Sequence, residues 1–370
     1  MTLEAGTRTV HIVLARGFPF MPASRRRLLT ASISLVLPRV RPAFAARRSL
    51  TFAAYGGLFQ ELYEPAVVDP FGGTHTDIDV FYYAVPTSTQ ALATLRRQRE
   101  RPEIDVVLLD LPSARAATDE GLLEPLSPSS MPVLADLAPA ATFPGIAGRA
   151  LFTEPLVLLF DAAKMPPPPA WKTLWSGLGD RSIVIPAPPD PVGIAFTIVA
   201  GRLFGGGNEQ HAVVDGIVAI NELQRQVLSW SPSPDVYHMV GEGNALLGVG
   251  WNMPAQVFSD RMNGRLGVAF PEEGTISRAT TVNLVKGSRQ PDAARQLIAH
   301  LLGADAQRTM VEQMYLGPVN ARARYLESAL LRTANTQERV ARAMPVDWLS
   351  VNAVRDEILR RWREVIPGSG

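Results

Sequence analysis

Ser49-Leu50-Thr51-Phe52-Ala53-Ala54-Tyr55-Gly56-Gly57 opens the part of the chain, residues 49–110, from which the architecture follows. Leu50 to Ala54 is a short apolar run that stops at Tyr55-Gly56-Gly57. A helix-like segment comes next, with Phe59, Leu62, Tyr63, Ala66 and Val67 at helical spacing, and Pro65 inside it should kink it or shift its start. Then come a strand-like run at 78–83, the loop Val85-Pro86-Thr87-Ser88-Thr89, a helix over 90–99, and a third apolar run at 104–109 that ends in Asp110. The order is β-α-β-α-β. In parallel sheets the loops at the carboxyl ends of the strands form the binding crevice. Tyr55, Gly56, Thr87, Ser88 and Asp110 are those loop residues, and they are expected to form half of a solute-binding cleft. Thr87-Ser88-Thr89 directly before a helix is N-cap chemistry, and free N–H groups at such a start can also hold a polar or anionic ligand.

Bulk composition narrows the function. The 370 residues suffice for one large domain or two ordinary ones, and 46% hydrophobic against 19% charged residues is the balance of a chain that buries real cores. The net charge of +1 is unevenly spread: residues 1–45 hold seven Lys and Arg against one acid, so the remainder carries about −5. That argues against a nucleic-acid partner, which demands concentrated positive charge. The chain has no cysteine, which excludes disulfides, thiolate metal sites, a cysteine nucleophile and a lipid-anchored cysteine. The five histidines (His11, His75, His211, His238, His300) show no metal-ligand spacing, so neither a metal nor a cofactor is expected.

Residues 1–45 read as an export leader. Ser24-Arg25-Arg26-Arg27-Leu28-Leu29-Thr30 runs from a basic cluster into an apolar stretch too short to span a bilayer, and Ala43-Phe44-Ala45 offers a small-x-small cleavage site. The order resembles the twin-arginine signal, with an ordinary secretion signal as the alternative, and Met21 would be a sensible start. The expectation is a soluble periplasmic protein cleaved near Ala45.

Further strands are expected at 151–160, 180–186, 245–251, 266–270 and 280–285. Glu154-Pro155 in the first of these suggests an edge or a crossover, because proline cannot donate to a ladder. Gly205-Gly206-Gly207 lacks the Lys-Ser/Thr pair of a phosphate loop and reads as a turn. A last helix, from about 348 to 365, places Val351, Val354, Ile358, Leu359 and Trp362 on one face.

Taken in order, Ala54-Tyr55-Gly56-Gly57, Ile104-Asp105-Val106-Val107-Leu108-Leu109-Asp110, Glu120-Gly121-Leu122-Leu123-Glu124-Pro125-Leu126, Trp171-Lys172-Thr173-Leu174-Trp175, Pro271-Glu272-Glu273-Gly274 and Gly317-Pro318-Val319-Asn320 carry a family likeness. The chain after residue 45 resembles the solute-binding proteins of ABC importers, in the broad spermidine/putrescine-type group. The resemblance implies an α/β fold of the type 2 periplasmic-binding kind: two lobes, two mixed sheets flanked by helices, and two hinge crossings, near 151–156 and 270–275. Lobe one would hold 46–150 with 276–330, lobe two 156–270, and helices in 331–370 would brace them. The partners implied are a small-molecule ligand and an inner-membrane permease, with the receptor a monomer and not an enzyme.

Candidate ligand contacts under this resemblance are Tyr55, Gly56, Thr87, Ser88, Asp110, Gly193 at a helix start, Trp251-Asn252 at a strand end, and Glu272 at the second crossing. Tyr55 and Trp251 could sandwich an alkyl or cationic ligand. The resemblance favours a polyamine-like cation, with Asp110 and Glu272 as its partners. The chain departs from the polyamine readers after the Pro-Glu-Glu-Gly step: Ile276-Ser277-Arg278-Ala279 stands where they carry an aromatic-x-acid pair. That keeps an anionic or zwitterionic solute open as the alternative. A secreted enzyme on the same fold, or a receptor read by a sensor or chemoreceptor, are the competing functions; no Gly-x-Ser-x-Gly elbow supports the first.

Overall fold

The first strand, β1 (Arg48–Tyr55), buries Leu50, Phe52, Ala53 and Ala54 completely, because a parallel strand covered on both faces needs apolar side chains on both. The computed structural model that contains it describes residues 47–205, 209–366 and 368. The leader at 1–45, its twin-arginine motif and cleavage site, and Gly206-Gly207 lie outside those residues.

After β1 come α1 (Leu58–Tyr63) and α2 (Asp69–Thr74), separated by a π-helical turn, Glu64–Val68, that contains Pro65. The proline lacks the N–H that a regular ladder would use, and the chain widens there instead of breaking. Then follow β2 (Ile78–Val85), α3 (Ser88–Arg97), β3 (Val106–Asp110), α4 (Leu111–Asp119) and the short β4 (Leu123–Glu124). β2 runs parallel to β1 along its full length, and β3 is parallel to β1 on its other side. Phe81 and Tyr83 stand exposed on β2, which is why that strand alternates only loosely.

β5 (Arg149–Asp161) joins the two halves of the molecule. Its first part pairs with the strand Ser277–Val285 up to Pro155, and its second part pairs with the strand Leu247–Trp251 from Leu156 onward. Pro155 therefore stands at the handover between ladders, the crossover of the two sequence options, where a missing donor costs least. Beyond β5 lie β6 (Ile183–Val184), α5 (Pro191–Phe204), α6 (Glu209–Asn221), β7 (Val227–Ser229), α7 (Val236–Gly241), β8 (Leu247–Trp251), α8 (Asn252–Arg261) and β9 (Leu266–Ala269). The chain returns through residues 270–276 into β10 (Ser277–Val285), then α9 (Pro291–Leu301), α10 (Ala304–Met314), α11 (Glu327–Leu330), α12 (Gln337–Ala341), α13 (Trp348–Ala353) and α14 (Arg355–Val365).

The strand order is β2-β1-β3-β10-β5-β8-β6-β7, with β4 on β10 and β9 on β5. The two expected mixed sheets thus share β5 and form one continuous path. Each half keeps its own core: Phe52, Leu108, Val282 and Leu297 in one, Trp171, Phe196, Val249 and Ile358 in the other. The fold is α/β and two-lobed, with a mixed sheet flanked by helices.

The C-terminal segment departs from the single helix expected over 348–365. Val354 leaves the helical basin (φ −104°, ψ 10°) and splits it into α13 and α14. The break lets two faces be used: α14 sets Ile358 and Trp362 into the second core and lies against α6, while α13 lies against α4. Trp348 packs against both cores.

The return crossing is tightly tied. Glu272 N–H donates to the Pro169 carbonyl, and Trp171 Nε1 donates to the Gly274 carbonyl at 2.8 Å. Gly274 has φ of +89°, and a Cβ there would overlap the Arg342 carbonyl oxygen. Gly274→Ala is expected to cost more than ~2 kcal/mol of stability, from left-handed strain plus the clash. Urea unfolding of the variant measures it; a loss within experimental error would mean that the 342 segment yields freely.

Candidate functional site

A cavity of about 500 Å³ opens where β1, β3, β8 and β10 end or pass and where several helices begin. From the first half it is lined by Tyr55, Gly56, Thr87, Ser88 and Asp110. From the second come Pro191, Ile194, Trp251 and Met253, and β5 and β10 supply Glu154, Arg278 and Thr280. Trp348, Val351 and Arg355 enter from the C-terminal helices.

Tyr55 anchors the first wall. Its hydroxyl lies 2.8 Å from Ser88 Oγ, which accepts a hydrogen bond from Asp110 N–H at 2.9 Å, so the ends of β1 and β3 and the start of α3 are locked together. Burial, and then the negative charge of Asp110, push the Tyr55 hydroxyl up from 10.0 to about 12. Tyr82 donates its hydroxyl to the Tyr55 carbonyl at 2.6 Å.

Besides α14, which starts at Arg355, four helices of eight residues or more among the described residues begin at the cavity, and three of them have an acid at the start. Asp110 accepts from Ser113 N–H at 2.8 Å and caps α4. Asp190 accepts from Val192 N–H at 2.8 Å and caps α5. Glu154 accepts from Met253 N–H at 3.0 Å at the start of α8. Each carboxylate satisfies an N–H that its helix cannot use, and its charge opposes the positive end of the helix dipole. The fourth helix, α3, is capped by neutral Thr87, whose Oγ1 accepts from Gln90 N–H at 3.2 Å.

Arg278 is the centre of the second wall. Its Nε and Nη2 donate to Glu154 Oε2 at 2.9 and 2.6 Å, and its guanidinium lies over the Trp251 ring, 4.2 Å from the centroid. Burial disfavours its charge, but the Glu154 carboxylate outweighs burial and the guanidinium pKa is raised. The Glu154 side chain is only 3% exposed, whereas that of Arg278 is 37% exposed. Nη1 of Arg278 has no hydrogen-bond partner among the described residues.

Of the sequence-expected contacts, Tyr55, Gly56, Thr87, Ser88, Asp110 and Trp251 meet in this cavity. Three do not. Gly193 is inside α5, where its missing Cβ lets the helix press against the Pro186 carbonyl and Pro188. Asn252 is completely buried and donates through Nδ2 to the Tyr315 and Arg332 carbonyls, at 3.0 and 2.9 Å, so it pins α8 rather than facing a solute. Glu272 is exposed on the return crossing, away from the lining. The expected Tyr55–Trp251 sandwich is altered too, because Arg278 already occupies one face of the indole. Sequence reasoning missed Glu154 as a cavity residue, although a lone acid inside a long apolar strand was a signal. It also missed Arg355 and Trp348, for which a helical surface pattern offered none.

Two α/β halves joined by crossing strands, with a half-polar cavity at their strand ends, define a cleft-type binding protein. The model of the bacterial extracellular solute-binding protein family matches residues 66–333, and the chain belongs to that family. Solved structures agree on the fold. An ABC transporter substrate-binding protein from Bradyrhizobium japonicum USDA 110 is similar with a TM-score of 0.73 at 16% identity, covering 86% of this chain and 100% of its own. An ABC transporter structure from Clostridium perfringens ATCC 13124 gives 0.68 at 20% identity, covering 86% and 99%. The periplasmic binding protein AfuA from Actinobacillus pleuropneumoniae, solved with fructose-6-phosphate bound, gives 0.66 at 17% identity, covering 86% and 98%. No curated protein matches the chain. Among the described residues, no helix is long and apolar enough to cross a membrane.

The Tyr55 environment has a consequence in alkali. Because its folded pKa lies above the unfolded value of 10.0, the unfolded chain loses that proton first, so stability is full below pH 10 and falls as pH rises towards about 12. Tyr55→Phe is expected to flatten part of that decline. Unfolding at a series of pH values, with tyrosinate absorbance followed in the native state, checks it; an unchanged slope in the variant would contradict the assignment.

Proposed function

We propose that this chain is the solute receptor of an ABC importer, exported through the leader at 1–45 and working in the periplasm as a monomer. It captures a small organic anion in the cavity between lobes built from 46–150 with 276–330 and from 156–270, with the helices of 331–370 bracing them. Ligand contacts both lobes only in the closed state, so binding shifts the population toward closure and presents that form to the permease. The likeness to the Bradyrhizobium ABC transporter substrate-binding protein and the Clostridium ABC transporter structure supports the importer assignment.

The observation that carries the ligand class is the disposition of charge. The acids around the cavity, Asp110, Glu154 and Asp190, are each bound to the start of a helix, and Glu154 is also paired with Arg278. Glu154 is thereby engaged on both oxygens, Asp110 and Asp190 each on one, and Glu272, the other expected cation partner, stands outside the lining. The polyamine-like cation therefore gives way to the anionic alternative. On the opposite side of the balance, α3 has a neutral cap, hydroxyls at Thr87, Ser88 and Thr89, and the positive end of its dipole. Arg278 Nη1 is the matching cation. Much of the remaining lining is apolar (Phe59, Phe152, Ile194, Trp251, Trp348), so the proposed solute is an acid with a hydrophobic body.

Thermal melting of residues 46–370 against carboxylates, phosphates, amino acids, sugars and polyamines is the test. A saturable rise with acids is expected, since a ligand that binds only the native state raises its stability. Arg278→Lys, which keeps a cation beside Glu154 but loses the planar fork, is expected to weaken acid binding about tenfold or more. A rise with polyamines and none with acids would overturn the ligand class.

A further inference from the structure

The geometry points to Arg355, at the start of α14, as a second cationic contact in the cavity, one that selects solutes carrying an acid group at each end. This rests on the organic-anion reading above and sharpens it.

Two facts single out Arg355. It lines the cavity and is half-buried, and its guanidinium has no hydrogen bond or ion pair with any described residue. Of the acids close in sequence, Glu357 binds Arg360 and Arg361, Asp347 caps α13 through Leu349 N–H at 3.0 Å, and the exposed Asp356 makes no ion pair with Arg355. An arginine that is half-withdrawn from water without a partner is an unfilled demand for a carboxylate or phosphate, because its planar fork of donors fits those groups best.

Its placement is held by the C-terminal break. Splitting the helix at Val354 turns α13 toward α4, whose start borders the cavity, while α14 stays on the second core. Trp348 Nε1 donates to the Ser277 carbonyl at 2.8 Å, which fastens α13 to β10 one residue before Arg278. The two guanidiniums therefore enter from different walls, Arg278 from the sheet and Arg355 from the tail. Arg278 shares its charge with Glu154; Arg355 shares its charge with nothing described. A monoacid has use for one of them, and a diacid can reach both.

The test compares monocarboxylates and dicarboxylates of matched carbon length by calorimetric titration of residues 46–370 and of Arg355→Gln and Arg355→Lys. Wild-type chain is expected to bind the better dicarboxylate at least tenfold tighter than its monoacid counterpart. Arg355→Gln should erase that preference by lowering dicarboxylate affinity at least tenfold more than monoacid affinity, and Arg355→Lys should keep part of it. Equal loss for both ligand types in Arg355→Gln, or no dicarboxylate preference in wild type, would overturn the role of Arg355 while leaving the anion receptor standing. Failure of every acid to bind wild type, with another class binding, would instead sink the anion reading and this inference with it.

Discussion

The pairing of Glu154 with Arg278 is the interaction on which the site depends. Glu154 lies on β5, the strand shared by both halves, with its side chain almost entirely out of water. A buried carboxylate survives as a charge only with opposite charge and N–H donors close by. It has both: the Arg278 fork from β10 and the Met253 N–H at the start of α8. One side chain thus ties the crossing strand, the return strand and a helix of the second half to a single point, one residue before Pro155 hands β5 from one ladder to the other.

That tie also decides what the cavity can attract. With Glu154 paired to it, Arg278 is held over the Trp251 ring, and its side chain stays partly exposed at the cavity. Asp110 and Asp190 each give one oxygen to a helix start, at α4 and α5. The positive ends of those helices are therefore muted, while α3, with a neutral threonine cap, keeps its field. Charges that look balanced when counted along the lining are unequal in what they have left to offer a solute. The proposed organic acid follows from that inequality rather than from net charge.

The tail adds a second layer. A chain that ended at the return strands would leave the cavity wall beside Ser277 open. Here Trp348 covers it, bonded to β10 and packed against both cores. Docking of this kind adds apolar burial that ties the tail to both cores.

Local pattern determined much by itself. The continuous apolar runs of β1 and β3, the Thr87 cap and the spacing of Phe59, Leu62 and Tyr63 specify β-α-β-α-β, and with it the placing of Tyr55, Ser88 and Asp110 at strand ends. Pro65 signals its own irregular turn, and Glu154-Pro155 marks a crossing, because proline lacks a donor wherever it sits. Such features depend on neighbours within a few residues. What no local pattern contains is which partner a polar side chain finds across the fold. Asn252 bonds carbonyls 63 and 80 residues away, Arg278 meets a carboxylate 124 residues away, and Asp110 turns its charge into a helix cap. Those partnerships place Asn252 in the frame of α8, commit one oxygen of Asp110 to a cap and set Arg278 beside the cavity, since nearer partners limit what a charge has left to offer a solute.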